Sequence, residues 1–144
     1  MLTGKCQKGG RWFAEDVDFS NVPLFIAPNG VVAMSSHLDV VDYDYAKQVR
    51  LVLGVSNGDS TRNVEIFDAN GKLACTFTIE RKGSCVTVKS DPARTDFEVQ
   101  LPFAKEARSI EGGRRIEPVG SVVPGDPGGL IVCATVSALK VDWV

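Results

Sequence analysis

The chain has 144 residues, of which 44% are hydrophobic and 24% charged, with a formal net charge of -2. That length fits one ordinary domain, or one domain with part of a neighbour, and folding it buries roughly two-thirds of the unfolded surface, enough for a core without staples. The composition excludes a disordered or collagen-like chain, the 16 Lys and Arg are too scattered to track a phosphate backbone, and no apolar run reaches the roughly 18 residues of a membrane span.

The first forty residues hold two short apolar runs, Val22-Pro23-Leu24-Phe25-Ile26 and Val31-Val32-Ala33-Met34, joined by Ala27-Pro28-Asn29-Gly30. They predict one hairpin cut from another sheet, within a stretch over residues 1–40 that differs from the rest. From residue 41 to 144 period-two alternation dominates. Val49, Leu51, Leu53 and Val55 make a strand that ends at Asn57-Gly58-Asp59; Val64 and Ile66 begin the next. Asp68-Ala69-Asn70-Gly71 turns the chain into Leu73, Cys75, Phe77 and Ile79, whose alternation with Thr76, Thr78 and Glu80 predicts one buried and one wet face. Arg81-Lys82-Gly83 reads as the following turn, Val86 and Val88 as a return strand, and Asp91-Pro92 as a break before Phe97, Val99 and Leu101. The segment Lys105–Arg108 predicts a single helical turn, stopped by Gly112-Gly113. Two late strands follow, one around Arg114 to Val123 and one from Leu130 to Ala138 running on toward Val144. Strands spaced roughly every 8 to 12 residues with Gly/Asn/Asp turns predict an all-β fold, an antiparallel β-sandwich built as a meander of hairpins.

Few residue groupings carry chemistry. Gly125-Asp126-Pro127-Gly128-Gly129 is similar to the GDSGG run around the nucleophile of chymotrypsin-like proteases, but proline at the serine position has neither a hydroxyl to attack nor an N–H to donate. His37 is the single histidine and stands in no triad context. Asp39, Asp42 and Asp44 form an acidic cluster without the glycine and distal glutamate of a calcium loop, and read as a solvated linker. The four cysteines, Cys6, Cys75, Cys85 and Cys133, have no CxxC spacing and read as free thiols. With the hairpin tip at Arg81-Lys82, Cys75 falls opposite Val88 and Cys85 opposite Thr78, a register that disfavours a bridge. Trp12 has the surface to stack on a sugar, yet beside Phe13 it reads as core or interface. Neither a metal nor an organic cofactor is implied.

Four stretches taken in order, LTGKCQKGGRW, NVPLFIAPNGVVAMSS, VDYDYAKQVRLVL and FDANGKLACTFTIERKGSCVTVKS, resemble the C-terminal end of glycoside hydrolase family 31 enzymes, in the α-xylosidase and α-glucosidase branch. The match is carried by Thr3-Gly4, Gly9-Gly10-Arg11-Trp12, the Pro23-Leu24-Phe25 segment through Asn29, Asp42-Tyr43-Asp44-Tyr45, and Asn70-Gly71 followed by Arg81, Gly83 and Val86-Thr87-Val88. It departs from the family pattern at Ala27, where the family often has arginine, and at Val41, where proline-like residues are common, and fades after Leu101.

The resemblance implies a proximal C-terminal β domain, present in part over 1–40, and a distal β-sandwich over 41–144. It places the catalytic (β/α) barrel, with the aspartate nucleophile and aspartate acid of a retaining α-glycosidase, upstream of Met1. The implied role is a non-catalytic, cytoplasmic piece that packs on and stabilises the barrel. Trp12, Phe13, Phe19, Leu24, Phe25 and Ile26 are the candidate interface, toward that barrel or a second copy, with no nucleic-acid or membrane partner. An independent carbohydrate-binding sandwich and a self-assembling structural β-protein are the alternatives.

Overall fold

A computed structural model describes residues 6–16, 19, 23–36, 44, 46–55, 57–117 and 128–144. Among them are ten strands and no helix: β1 (Val31–Ser35), β2 (Val49–Leu53), β3 (Ser60–Phe67), β4 (Leu73–Lys82), β5 (Cys85–Asp91), β6 (Phe97–Leu101), β7 (Ala107–Glu111), β8 (Gly113–Ile116), β9 (Leu130–Ala134) and β10 (Ala138–Trp143). They form two five-stranded sheets, ordered β1-β2-β6-β9-β8 and β3-β4-β5-β10-β7. All pairs are antiparallel except β2 and β6, which run parallel with Leu51 opposite Val99. This is the expected all-β sandwich.

The inward-facing residues of both sheets make the core, with alternating burial along β4 and β5, whereas in the first sheet Val52, Gln100 and Ile131 are buried on the opposite face as well. Leu51 and Leu53 of β2, Phe97, Val99 and Leu101 of β6, and Leu130 and Val132 of β9 face Cys75, Phe77 and Ile79 of β4, Val86 and Val88 of β5, and Leu139 and Val141 of β10, all of them buried. Phe77 and Phe97 join the two sheets edge to face, their ring centroids 5.1 Å apart. The outer face of the second sheet carries Thr76, Thr78, Glu80, Thr87 and Lys89, so water takes that side.

Several local expectations are corrected. The tip between β4 and β5 is Gly83-Ser84, with Lys82 opposite Cys85, because Gly83 takes a positive φ of 55° and its N–H reaches Asp59 Oδ1 at 3.0 Å. Ile79 therefore stands opposite Val88, and Arg81 moves from the turn into a strand. No helical turn forms at Lys105–Arg108; Ala107–Glu111 is β7, whose pairing with β10 overrides a weak local helical preference. The strand expected from Leu130 to Ala138 is broken between β9 and β10, where the N–H groups of Thr135 and Val136 both turn back to Gly112 O. Only β3-β4-β5 is a meander, since β6 and β10 each enter a sheet away from their neighbours in sequence.

The expected N-terminal hairpin is also corrected. Residues 23–27 form no strand, and β1 is instead the edge strand beside β2, with Val31 opposite Leu53 and Ser35 opposite Val49. Pro23 supplies no N–H to a ladder, whereas β2 offers β1 a full open edge. The expected domain division near residue 40 falls between these two strands, on residues outside the described set.

Candidate functional site

Two groups of residues set the arm Cys6–Ala27 apart: the aromatics it exposes and the anchor that fixes its end. Trp12 and Phe19 are fully exposed, at 101% and 112%, and Phe13, Leu24 and Phe25 are largely so. Phe13 meets Phe25 edge to face at 5.6 Å and 76°. Of the six candidate interface residues, the structure thus brings these two together and leaves Trp12, Phe19 and Leu24 in solvent.

The sixth, Ile26, turns the other way. Its Cγ2 lies over Gly30 and Gly54, so close that a Cβ on Gly54 would stand 2.8 Å from it and 2.5 Å from Ala27 O. Glycine at these two positions lets the arm lie against the end of β2.

The anchor is built on Asn29, buried with φ at 58°. Its backbone N–H donates to Val55 O at 2.8 Å, its side-chain Nδ2 donates to Asn57 O at 2.8 Å, and its Oδ1 accepts from Asn57 N–H at 2.9 Å. This reciprocal pair lets one asparagine side chain act as a short strand segment. Beside it, Gly54 N–H donates to Gly30 O at 2.9 Å, while Gly54 O accepts from Arg81 Nη1 at 2.6 Å. A chain of bonds therefore runs from Arg81 of β4, through Gly54 just past the end of β2, to Gly30 at the base of the arm.

Gly54, Asn57 and Arg81 have no part in the sequence reading of the interface. The signals were present: Pro28-Asn29-Gly30 is a dense turn signature, and the spacing Cys75, Phe77, Ile79, Arg81 puts a guanidinium on the inner face. Burial pulls the Arg81 pKa down from its ordinary value.

Other sequence features are ordinary where described. Asp44 Oδ1 accepts from Ala46 N–H at 2.9 Å, and Oδ2 lies 3.5 Å from Lys47 Nζ; His37, Asp39 and Asp42 lie outside the described residues. Gly125, Asp126 and Pro127 do as well, while Gly128 and Gly129 both take positive φ at the entry to β9, where Gly129 sits too close to Leu101 O for any Cβ. The cysteines are free, with Cys75 buried and its thiol pKa pushed up by that burial. No grouping of three or more His, Cys, Asp or Glu fit to hold a metal occurs among the described residues. Trp143 packs edge to face on Phe103 at 5.5 Å.

Comparison with known proteins places most of the sandwich in a family. The family described as alpha-xylosidase YicI, C-terminal domain, matches residues 44–137. No curated protein matches the chain. The matched stretch runs from just before β2 to the turn before β10, continues well past Leu101 where the sequence resemblance fades, and leaves the aromatic arm and β1 outside it. More than half of the chain lies in that match, and its two-sheet sandwich is the domain concerned: the chain belongs to the family of the alpha-xylosidase YicI C-terminal domain, the region to which the likeness to glycoside hydrolase family 31 pointed.

Proposed function

We propose that this chain is the non-catalytic C-terminal sandwich of a retaining α-glycosidase acting on α-xylosides or α-glucosides, and that it packs on and stabilises the catalytic barrel. The observation that carries this reading is the arm: five large apolar side chains stand exposed on a segment outside the matched sandwich, yet the segment is bonded firmly to it at Asn29 and Gly30. Exposed aromatics in one short stretch are a docking feature more than a solvated one. The edge-to-face Phe13–Phe25 pair offers no flat platform for a sugar ring, which favours a protein partner over a carbohydrate. Free thiols at all four cysteines fit a reducing compartment, and we assign the protein to the cytoplasm on that ground.

The test uses a family α-xylosidase from which the C-terminal sandwich has been removed. Added to it, the 144-residue chain should co-elute with the truncated enzyme and raise its unfolding midpoint, and Phe25→Lys should abolish both effects. Independent elution with no change in midpoint would reject the docking role. The chain by itself should release no nitrophenol from aryl α-xylosides or α-glucosides, since the two carboxylates of that chemistry belong to the barrel.

A further inference from the structure

We propose that Arg81 and Ser60 form a closed binding site for a small monovalent anion of halide size, at the corner where the chain leaves the first sheet for the second. Sequence spacing creates the site. Arg81 follows Cys75, Phe77 and Ile79 on the inner face of β4, and Ser60 is its direct partner across the β3–β4 ladder. Residues directly opposed in an antiparallel pair project from the same face, so the hydroxyl and the guanidinium share the space between the sheets.

Only part of that polar surface is used. Arg81 is 2% exposed, and its Nη1 donates to Gly54 O. Its Nη2 and the Oγ of Ser60 are both buried without a hydrogen-bond partner among the described residues. The next residues along the same row, Val86 and Val141, are apolar and buried. The ion pairs formed among the described residues do not include Arg81.

Two unmet needs therefore coincide. Among the described residues a buried donor and a buried hydroxyl lack partners, and a buried cation lacks a counter-charge. Lysine in such a place sheds its proton, but a guanidinium remains charged even with its pKa drawn down. A water molecule satisfies the hydrogen bonds and leaves the charge. A monovalent anion satisfies both, accepting from Nη2 and from the Ser60 hydroxyl while neutralising the cation. A divalent oxyanion would replace one excess charge by the opposite one. Because Arg81 also holds Gly54, and Gly54 holds Gly30, an anion here would fix the guanidinium on which the arm anchor rests.

The experiment is equilibrium urea unfolding of the full 144-residue chain in sodium chloride against sodium gluconate at matched ionic strength. Well above half-saturation, each tenfold rise in chloride should lower the unfolding equilibrium constant close to tenfold, with no such response to gluconate. Ser60→Ala should move half-saturation to higher chloride, and Arg81→Met should abolish the dependence. Should Arg81→Met not fold, diffraction from the unmodified chain grown with bromide reads the site independently, as an anomalous peak within hydrogen-bond distance of Nη2 and Ser60 Oγ. Stability indifferent to chloride, an equal chloride response in Arg81→Met, or a water or one of the chain's own carboxylates at that position would each overturn the proposal.

Discussion

Asn29 occupies a conformation that costs a non-glycine residue about 1 kcal/mol, and its side chain offsets this with two bonds to the Asn57 backbone. Asn29→Ala keeps the unfavourable φ and loses both bonds; since water can reach Asn57, the loss should be about 1–2 kcal/mol in urea unfolding. Asn29→Gly relieves the backbone and should recover about half. Equal losses for the two variants would show that the bonds alone matter. A second residue-scale device sits where β5 crosses to β6. Arg94 grips both oxygens of Asp96, at 2.8 and 2.7 Å, and its backbone N–H donates to Ser90 Oγ at 2.8 Å. Hydrogen bonds from Arg94 hold the Asp96 carboxyl below its ordinary value, against the opposing effect of burial. The stability this contributes is complete above the unfolded-state value, about 3.9, and is lost as pH falls through the lower folded value. Asp96→Asn should therefore lower stability at neutral pH and flatten its decline below about pH 4. A parallel offset at every pH would mean that the charge is not the cause.

At the scale of elements, strand-by-strand alternation was legible wherever one face is core and the other wet. The residues that define β2, β4 and β6 carry period-two patterns, and a strand forms at each, although β2 stops at Leu53, short of the expected Val55, and β4 runs on through Arg81 to Lys82. What the pattern cannot hold is partnership. β7 has too few apolar residues to announce itself and exists because β10 offers it an edge. β1 has the apolar residues of a hairpin arm but pairs with β2, where even the nearest partners, Ser35 and Val49, are separated by a long connection. The interface candidates were legible as an aromatic-rich stretch, while the anchor beneath them was not, because Asn29, Gly54, Asn57 and Arg81 meet only after three separate segments fold. Truncation separates the two parts. Removing residues 1–22 should leave a cooperative transition near the original midpoint, since the anchor and β1 remain. Removing residues 1–36 strips the cover from β2 and exposes its backbone edge, so the midpoint should fall and aggregation should rise. Identical midpoints for both truncations would mean that β1 adds nothing to the sandwich.

For the whole molecule, the exposed arm is expected to set the behaviour of the isolated chain. Trp12, Phe13, Phe19, Leu24 and Phe25 are five exposed large apolar side chains on one short arm, the kind of surface that favours association. At ~25 cal/mol per Å² buried, their mutual burial is a strong drive to association, and a two-fold dimer is the simplest way to satisfy it. Sedimentation at micromolar concentration should find dimers or larger species, and Phe25→Lys should shift them toward monomer; a strictly monomeric unmodified chain would contradict this. The strand order has a further consequence, for the sequence of events during synthesis. β6 sits between β2 and β9, and β10 sits between β5 and β7. Neither sheet can therefore close by adding strands in the order in which they leave the ribosome: β2 waits for β6 while the whole β3-β4-β5 meander is made, and β5 and β7 stay unjoined until the tenth strand arrives. Such long-range closures fold on the slow side, in milliseconds to seconds, and through that interval the nascent chain depends on its early hairpins and on chaperones to keep open strands from finding the wrong neighbour.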